Sequence, residues 1–321
     1  MTSPHACTAL RSFRHHAIRV DCYHELCSLT SWLRVSSIGS VKRLLLLIYF
    51  AVGGTLAIAD SKIQADIVYG HKHGLAMTMD LYQADAESNG AAILFMMSGG
   101  WVSKWAPPEH TQPLFAPYLA KSFKVFCVRH GSSPRYSIPE AIADVRRAVR
   151  YVRSQSETFD VDPERLGVLG MMLGTSGDDG DPGSKDPIKR ASSRVAAVAA
   201  LVPPTDLRVA VWEAPVWEAP ETLPAYKHFP ALDLELREAG PNSPPTHVTS
   251  DDALALVIMG GKDELVPPRH GEWIAKALER EKVPHKLIVF PDSGHGLEGN
   301  QGKMVSEMTG WFVKYLADSD K

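Results

Sequence analysis

Two residues late in the chain stand in surroundings that suit them to proton chemistry. Asp263 lies in Met259-Gly260-Gly261-Lys262-Asp263-Glu264-Leu265-Val266-Pro267, directly after an apolar run. His295 lies in Phe290-Pro291-Asp292-Ser293-Gly294-His295-Gly296-Leu297, directly after another. A lone acid in such a loop is ordinarily a solvated turn residue, and a lone histidine is ordinarily structural. The order strand–Asp and then strand–His, 32 residues apart, is what makes an acid–base pair. An imidazole shuttles protons near neutral pH, and a carboxylate beside it fixes its orientation. Sheet enzymes keep their sites in loops at the carboxyl ends of strands, which is where both residues fall. A third group is Ser98-Gly99-Gly100-Trp101, after the apolar run Ala91–Met97. Paired glycines let the backbone turn tightly and aim N–H groups at one point, as an oxyanion hole requires, although a plain turn also fits.

The elements that must position these loops alternate strand and helix. Ala65–Val68 and Met77–Tyr82 read as strands around the turn-like Gly70-His71-Lys72-His73-Gly74. Ala91–Met97 is continuously apolar, as a strand buried on both faces should be. Pro113–Phe123 reads as a helix and Lys124–Val128 as a strand. Ile138–Ser154 is an amphipathic helix: Ile142, Val145, Val149 and Val152 recur at spacings of three to four, with Arg146, Arg147 and Arg150 between them. Further strands are expected at Arg165–Leu169, Val195–Val202, Ala253–Met259 and Lys286–Phe290, with helices around Trp273–Leu278 and Val305–Leu316. An antiparallel start followed by parallel units implies one open, mostly parallel sheet of eight strands with helices on both faces. Residues 205–250, rich in Pro, Trp and Glu, read as a small cap. Inside it Val211-Trp212-Glu213-Ala214-Pro215 repeats at once as Val216-Trp217-Glu218-Ala219-Pro220, a local duplication.

Composition bounds the class. The chain has 321 residues, 45% hydrophobic and 22% charged, with a net charge of −3, which excludes a disordered chain and an electrostatic nucleic-acid binder. Four cysteines are too few for a disulfide scaffold. A mean hydropathy of −0.11 excludes a multispan membrane protein. One local apolar run remains. Lys42 and Arg43 precede Leu44–Val52, and the segment closes on Ala57-Ile58-Ala59, the three parts of a secretory signal peptide. Leu44 to Ala59 is 16 residues, short of the roughly 20 that span a bilayer. Residues 41–59 are therefore expected to be a signal peptide, with an uncleaved anchor as the alternative. Residues 1–40 are expected to be an extension from a misassigned start. The working domain is expected at 60–321, secreted or periplasmic, with no stable membrane span after cleavage.

These residues resemble the α/β-hydrolase superfamily, in particular secreted esterase- and lipase-like members, from about residue 64 to 317. Gly99-Gly100-Trp101 matches that family's oxyanion loop, with Ser98 where the usual His stands. Arg129-His130-Gly131-Ser132-Ser133-Pro134 and Ile138–Arg150 resemble its next loop and helix. Asp263 and His295 fall on its acid and base. The resemblance implies an α/β-hydrolase fold and hydrolysis of small carboxylic esters through an acyl-enzyme, with no cofactor, metal or nucleic acid.

The resemblance also places a nucleophile after the strand ending at Leu169, in a G-x-S-x-G elbow. This chain reads Gly170-Met171-Met172-Leu173-Gly174 there. A thioether has no proton to lose and cannot form an acyl-enzyme. Either Met172 replaces serine directly, or a segment holding the elbow and the start of its helix is missing between Gly170 and Met171. The second account fits better, because Thr175-Ser176-Gly177-Asp178-Asp179-Gly180-Asp181-Pro182 comes at once and cannot be a helix interior. The central sheet should then be poorly covered. Ser176 is the nearest serine and a weak candidate nucleophile only, since it lacks the strained turn. Cys127, within a strand, is not one. His71-Lys72-His73 reads as a solvated turn. Asp178, Asp179, Asp181 and Asp186 lack calcium-loop spacing. Trp212 and Trp217 suit either a sugar or aromatic substrate or packing in a lid.

Overall fold

A computed structural model of the chain describes residues 61–170, 174–211 and 236–317. Eight strands form one sheet: β1 (Ser61–Lys72), β2 (Leu75–Ala84), β3 (Ala92–Met96), β4 (Lys124–Val128), β5 (Leu166–Leu169), β6 (Ala197–Leu201), β7 (Leu254–Gly260) and β8 (His285–Phe290), in the order β1-β2-β4-β3-β5-β6-β7-β8. β1 pairs with β2, and β2 with β4, antiparallel; all later pairs are parallel. This is the open, mostly parallel eight-stranded sheet expected from the alternation of apolar runs and amphipathic helices, and the α/β-hydrolase fold that the family resemblance implies. The apolar strands of the centre are buried on both faces because helices cover both.

Four longer helices do the covering: α1 (Pro108–Leu119), α2 (Ile138–Ser154), α3 (Arg269–Arg280) and α4 (Gln301–Phe312). α2 begins at a capping box, in which the Ser137 side chain accepts from the Glu140 N–H and the Glu140 carboxylate accepts from the Ser137 N–H. Val145, Ala148, Val149 and Val152 on α2 and Ile274, Ala277 and Leu278 on α3 belong to one core, with Val168, Val198, Ala200 and Val257 of the sheet. α1 and α4 pack on the other face, through Phe115, Leu119, Met308 and Phe312. α1 starts five residues earlier than its sequence suggests and carries Pro113 and Pro117 inside it.

The poorly covered centre expected from a missing helix is not what the structure holds. Val168 of β5 and Val198 of β6 are fully buried. Part of the reason lies on the polar side of α2, whose arginines grip the loop between β5 and β6. Arg147 reaches the Tyr69 carbonyl and the Asp186 carboxylate. Arg150 reaches the Ala191 carbonyl and Asp178. Arg153 donates to the carbonyls of Pro163, Ser192 and Arg194. The acidic loop residues Asp178 and Asp186 are thus partners of helix arginines. His71-Lys72-His73 runs from the end of β1 into a turn with both histidines exposed, as expected, but its half-buried lysine is tied down. Lys72 Nζ pairs with the buried Asp144 carboxylate at 2.5 Å, and His73 packs on Tyr136.

At the open edge, β1 shifts register against β2 between Gln64 and Ile67. Asp66 sits in the shift with left-handed backbone (φ 54°), its N–H on Asp80 and its carboxylate on Arg129. The cap is described at its two stems, helical at Leu207–Val211 and Leu236–Ala239. The Ser243 hydroxyl joins them, accepting from the Leu207 N–H and donating to the Ala239 carbonyl. Trp212 and Trp217, like residues 1–60 with the signal-peptide segment, lie outside the described residues. Among the described residues no helix is long and apolar enough to cross a membrane.

Candidate active site

The loops after β7 and β8 lie side by side because their glycines let backbone touch backbone. A Cβ on Gly260 would fall 2.2 Å from the Gly294 carbonyl oxygen, and one on Gly261 would fall 2.7 Å from Pro291. Two hydrogen bonds run across the seam, from the Gly261 N–H to the Phe290 carbonyl (2.8 Å) and from the Lys262 N–H to the Ser293 carbonyl (2.9 Å). Lys262 and Asp292 pair across it at the surface. The paired glycines after β7 are the sequence signal for this contact, and sequence reading gave them no role.

The seam delivers Asp263 to His295. Asp263 Oδ2 lies 2.8 Å from His295 Nδ1. Asp263 Oδ1 accepts the N–H groups of Leu265 (2.9 Å) and Val266 (2.8 Å). The carboxylate is buried, and hydrogen bonds fix both of its oxygens. A buried carboxylate satisfied in this way can hold one imidazole tautomer and steady the imidazolium that forms. The His295 loop is closed on itself. Ser293 Oγ donates to the Glu298 carbonyl, the Gly294 N–H donates to the Glu298 carboxylate, and the Asn300 amide donates to Ser293 Oγ. The His295 side chain is 21% exposed, and its Nε2 has no hydrogen-bond partner among the described residues. That nitrogen is free to take a proton from a reactant.

After β3, residues 99–102 make a two-residue hairpin turn. The Gly99 N–H donates to the Val102 carbonyl and the Val102 N–H to the Gly99 carbonyl, both at 3.1 Å. Gly100 (φ 58°) and Trp101 (φ 60°) occupy the turn, both left-handed. That conformation costs a non-glycine residue about 1–2 kcal/mol, which the packing of the Trp101 side chain on the core and the bond from the Ser133 N–H to its carbonyl offset. Of the three residues expected to form an oxyanion hole, Gly99 spends its N–H inside the turn. The N–H groups of Gly100 and Trp101 have no acceptor among the described residues. The turn is tied to the loop after β4, where Ser132 Oγ accepts from the Ser103 N–H and donates to the Ser103 carbonyl.

Ser176 is not brought to this site. The Gly174 carbonyl accepts from the N–H of Ala253, the residue before β7, and a Cβ on Gly177 would touch the Arg194 backbone, just before β6. Residues 174–177 therefore lie along the strand starts, whereas Asp263 and His295 lie beyond the strand ends. The seven residues of β7 separate the two edges by about 20 Å at ~3.3 Å per residue. Met171, Met172 and Leu173, on which the missing-elbow reading turns, lie outside the described residues. Cys127 is buried in β4, and burial together with nearby Asp80 pushes its thiol up to about 12.

One buried histidine was not read from the sequence. His270, in the first turn of α3, accepts the N–H groups of Thr205 and Asp206 on Nδ1 (3.2 and 3.3 Å), while Thr205 Oγ1 donates to its carbonyl. Burial, with a smaller contribution from Arg269, pushes it down to about 4. It joins the first cap stem to the helix that comes after the acid loop.

Topology, sheet order and the placement of the acid and base loops define an α/β-hydrolase fold. The chain belongs to the BD-FAE family, which it matches over residues 79–278. Among solved structures it resembles an acetyl ester-xyloside bifunctional hydrolase from Caldicellulosiruptor lactoaceticus, with a TM-score of 0.65 and 21% identity over 81% of this chain and 98% of that one. It also resembles a truncated carbohydrate esterase from gut microbiota, with a TM-score of 0.64 and 23% identity over 80% of this chain and 97% of that one. A curated relative is the probable carboxylic ester hydrolase LipM of Mycobacterium tuberculosis, 23% identical over 73% of this chain and 56% of that protein. Another is the acylamino-acid-releasing enzyme of Arabidopsis thaliana, 28% identical over 58% of this chain and 25% of that protein. The chain thus spans about half, or less, of the length of these curated relatives.

Proposed function

We propose that this chain hydrolyses carboxylic esters of small molecules, with His295 as general base, Asp263 as its orienting carboxylate, and the Gly100 and Trp101 amides as donors to the developing oxyanion. The observation that carries this reading is the 2.8 Å contact between a buried, doubly held carboxylate and an imidazole whose second nitrogen has no hydrogen-bond partner among the described residues. Acyl transfer needs a proton acceptor near neutral pH and donors for the tetrahedral oxyanion, and this edge of the sheet supplies both kinds of group. In the acyl-enzyme route that the family resemblance implies, an alcohol attacks the ester and water later frees the acid. This chain keeps the base and the acid of that route, and its nucleophile is unassigned. Two of the similar solved structures are a carbohydrate esterase and an acetyl ester-xyloside bifunctional hydrolase, which makes acetyl esters of sugars the first natural substrates to try.

A nitrophenyl acetate assay tests the reading. His295→Ala should lower the rate by about 10²–10⁴-fold, the usual contribution of general acid–base catalysis. Ser176→Ala should leave it unchanged. A second reading, a fold that keeps only an ester-binding pocket, is favoured by the absence of any hydroxyl in Met171-Met172-Leu173. Equal background rates for the wild type and both variants would select it.

We also propose export, because Lys42–Ala59 has the charged start, apolar centre and A-x-A ending of a cleaved leader. Amino-terminal sequencing of the exported form should find Asp60, and finding residues 1–40 there would overturn this.

A further inference from the structure

One peptide unit of the base loop ties His295 to Asp263 through the backbone. The Ser293 carbonyl accepts the Lys262 N–H at 2.9 Å, and the Gly294 N–H donates to Glu298 Oε2 at 3.1 Å. Both groups belong to the peptide between Ser293 and Gly294. Lys262 comes directly before Asp263, and Gly294 directly before His295. The orientation of this one plane therefore governs how the imidazole faces the carboxylate. The next carbonyl, that of Gly294, lies against Gly260, where a Cβ would fall 2.2 Å from its oxygen. Gly294 and Gly296 flank His295 and bring no side chains to fix the backbone, so its ties come from elsewhere in the loop. A carboxylate on the N–H end of the plane also polarises the amide. Its carbonyl becomes a better acceptor for Lys262, because hydrogen bonds in a chain reinforce one another.

We propose that Glu298 is a positioning residue: through the Gly294 N–H its carboxylate fixes the peptide that aligns His295 with Asp263. For its effect on turnover the inference rests on the ester-hydrolase reading. For its effect on the acid–base pair it does not.

This role is separable from loop closure. Ser293 Oγ closes the loop on the Glu298 carbonyl (2.9 Å), and the Asn300 amide donates to the same hydroxyl (2.9 Å). The Leu297 N–H donates to the Gly294 carbonyl (3.1 Å). None of these bonds uses the Glu298 side chain, and Glu298 is exposed. Glu298→Ala therefore removes the carboxylate alone and leaves the fold intact. Glu298→Gln keeps an acceptor oxygen of the same reach and should hold the plane as the wild type does.

The test compares the full wild-type chain with Glu298→Ala, Glu298→Gln and His295→Ala, after melting curves show that all are folded. The proton NMR signal of His295 Nδ1–H, shared with Asp263 and assigned by its loss in His295→Ala, reads the alignment without any turnover. It should move upfield or broaden by solvent exchange in Glu298→Ala and stay in place in Glu298→Gln. With nitrophenyl acetate, kcat should fall about 5–10-fold in Glu298→Ala, the worth of one hydrogen bond, with KM within about twofold. Glu298→Gln should restore it. An unmoved signal in Glu298→Ala, or an unchanged kcat where His295→Ala is impaired, overturns the inference and leaves the ester-hydrolase reading standing. A Glu298→Gln as impaired as Glu298→Ala also overturns it, since the acceptor oxygen would then not be what matters. A wild type without the signal removes the aligned pair, and the inference with it. Turnover of His295→Ala equal to that of the wild type overturns the ester-hydrolase reading, and the proton signal alone then decides the role of Glu298.

Discussion

The loops after β7 and β8 and the connection after β5 leave the same edge of the same sheet, yet they are built by different means. The acid and base loops are held by their own backbones: glycines in contact, two cross-loop hydrogen bonds, and a carboxylate fixed by its neighbours' amides. The β5 connection passes in four residues from Gly170, bonded to Ala199, to Gly174, bonded to Ala253 at the strand starts. Four residues reach at most about 14 Å, so this link has little length to spare for an elbow and a covering helix. The acidic loop beyond Gly174 is held from outside, by arginines of α2. The Asp263–His295 geometry is set by local contacts and does not depend on the connection after β5, whereas the placement of the acidic loop depends on another element.

The largest expected effect is a gain. Inserting a G-x-S-x-G elbow with about ten helical residues between Gly170 and Met171 should create fluorophosphonate labelling and raise ester turnover, with a ceiling near 10⁶-fold. No gain in a folded insertion variant would mean that the base loops are not aligned for a serine, and the comparison would break.

Glycines in the two regions sharpen it further. Gly260→Val forces the acid and base loops apart and should abolish His295-dependent turnover, at a cost near 3 kcal/mol by urea melt. Gly174→Ala presses on Val198, at 2.6 Å, and should cost about 1–2 kcal/mol while turnover stays the same.

His270 joins the first cap stem, through Thr205 and Asp206, to the helix after the Asp263 loop, with Arg269, Asp206 and Asp263 as the charges acting on it. Its folded value lies near 4, against 6.5 when unfolded, so between these values the unfolded chain holds more protons. Stability should therefore fall as pH drops from about 6.5 to about 4, by up to about 3 kcal/mol, and then level off. His270→Gln should flatten that segment of the pH–stability curve; an unchanged slope would detach His270 from it.

An effect of similar size to that at Gly174 is expected at Arg153→Ala, which releases the carbonyls of Pro163, Ser192 and Arg194. A loss of about 2 kcal/mol with unchanged turnover would fit, and a loss of turnover would place the α2 clamp in the chemistry.

Much of this architecture was legible because parallel strands are apolar on both faces. Ala91–Met97 and Ala253–Met259 are too continuous to be anything else that short, and the observed strands differ from them by a residue or so at each end. β1 and β2 were harder to bound, because His71, Lys72 and Gln83 at the ladder ends break the apolar pattern while their backbones still pair. Asp263 and His295 could be paired from chain order alone. Ser176 could not be excluded that way, since closeness in sequence says nothing about which edge of a sheet a loop reaches. The turn that consumes the Gly99 N–H depends on a left-handed tryptophan, which no propensity suggests. The buried faces of Val168 and Val198 reflect tertiary closure, and a local count of missing helix residues misjudges it.

The register shift at the free edge of β1 governs how molecules meet. A flat outer strand offers unpaired amides to any neighbouring chain, and concentrated protein then stacks edge to edge. Here Asp66 bends that strand, turns its own N–H inward to Asp80 and holds a carboxylate on Arg129. A second molecule approaching this side meets an interrupted ladder and a fixed charge, which favours colloidal solubility over fibrous association.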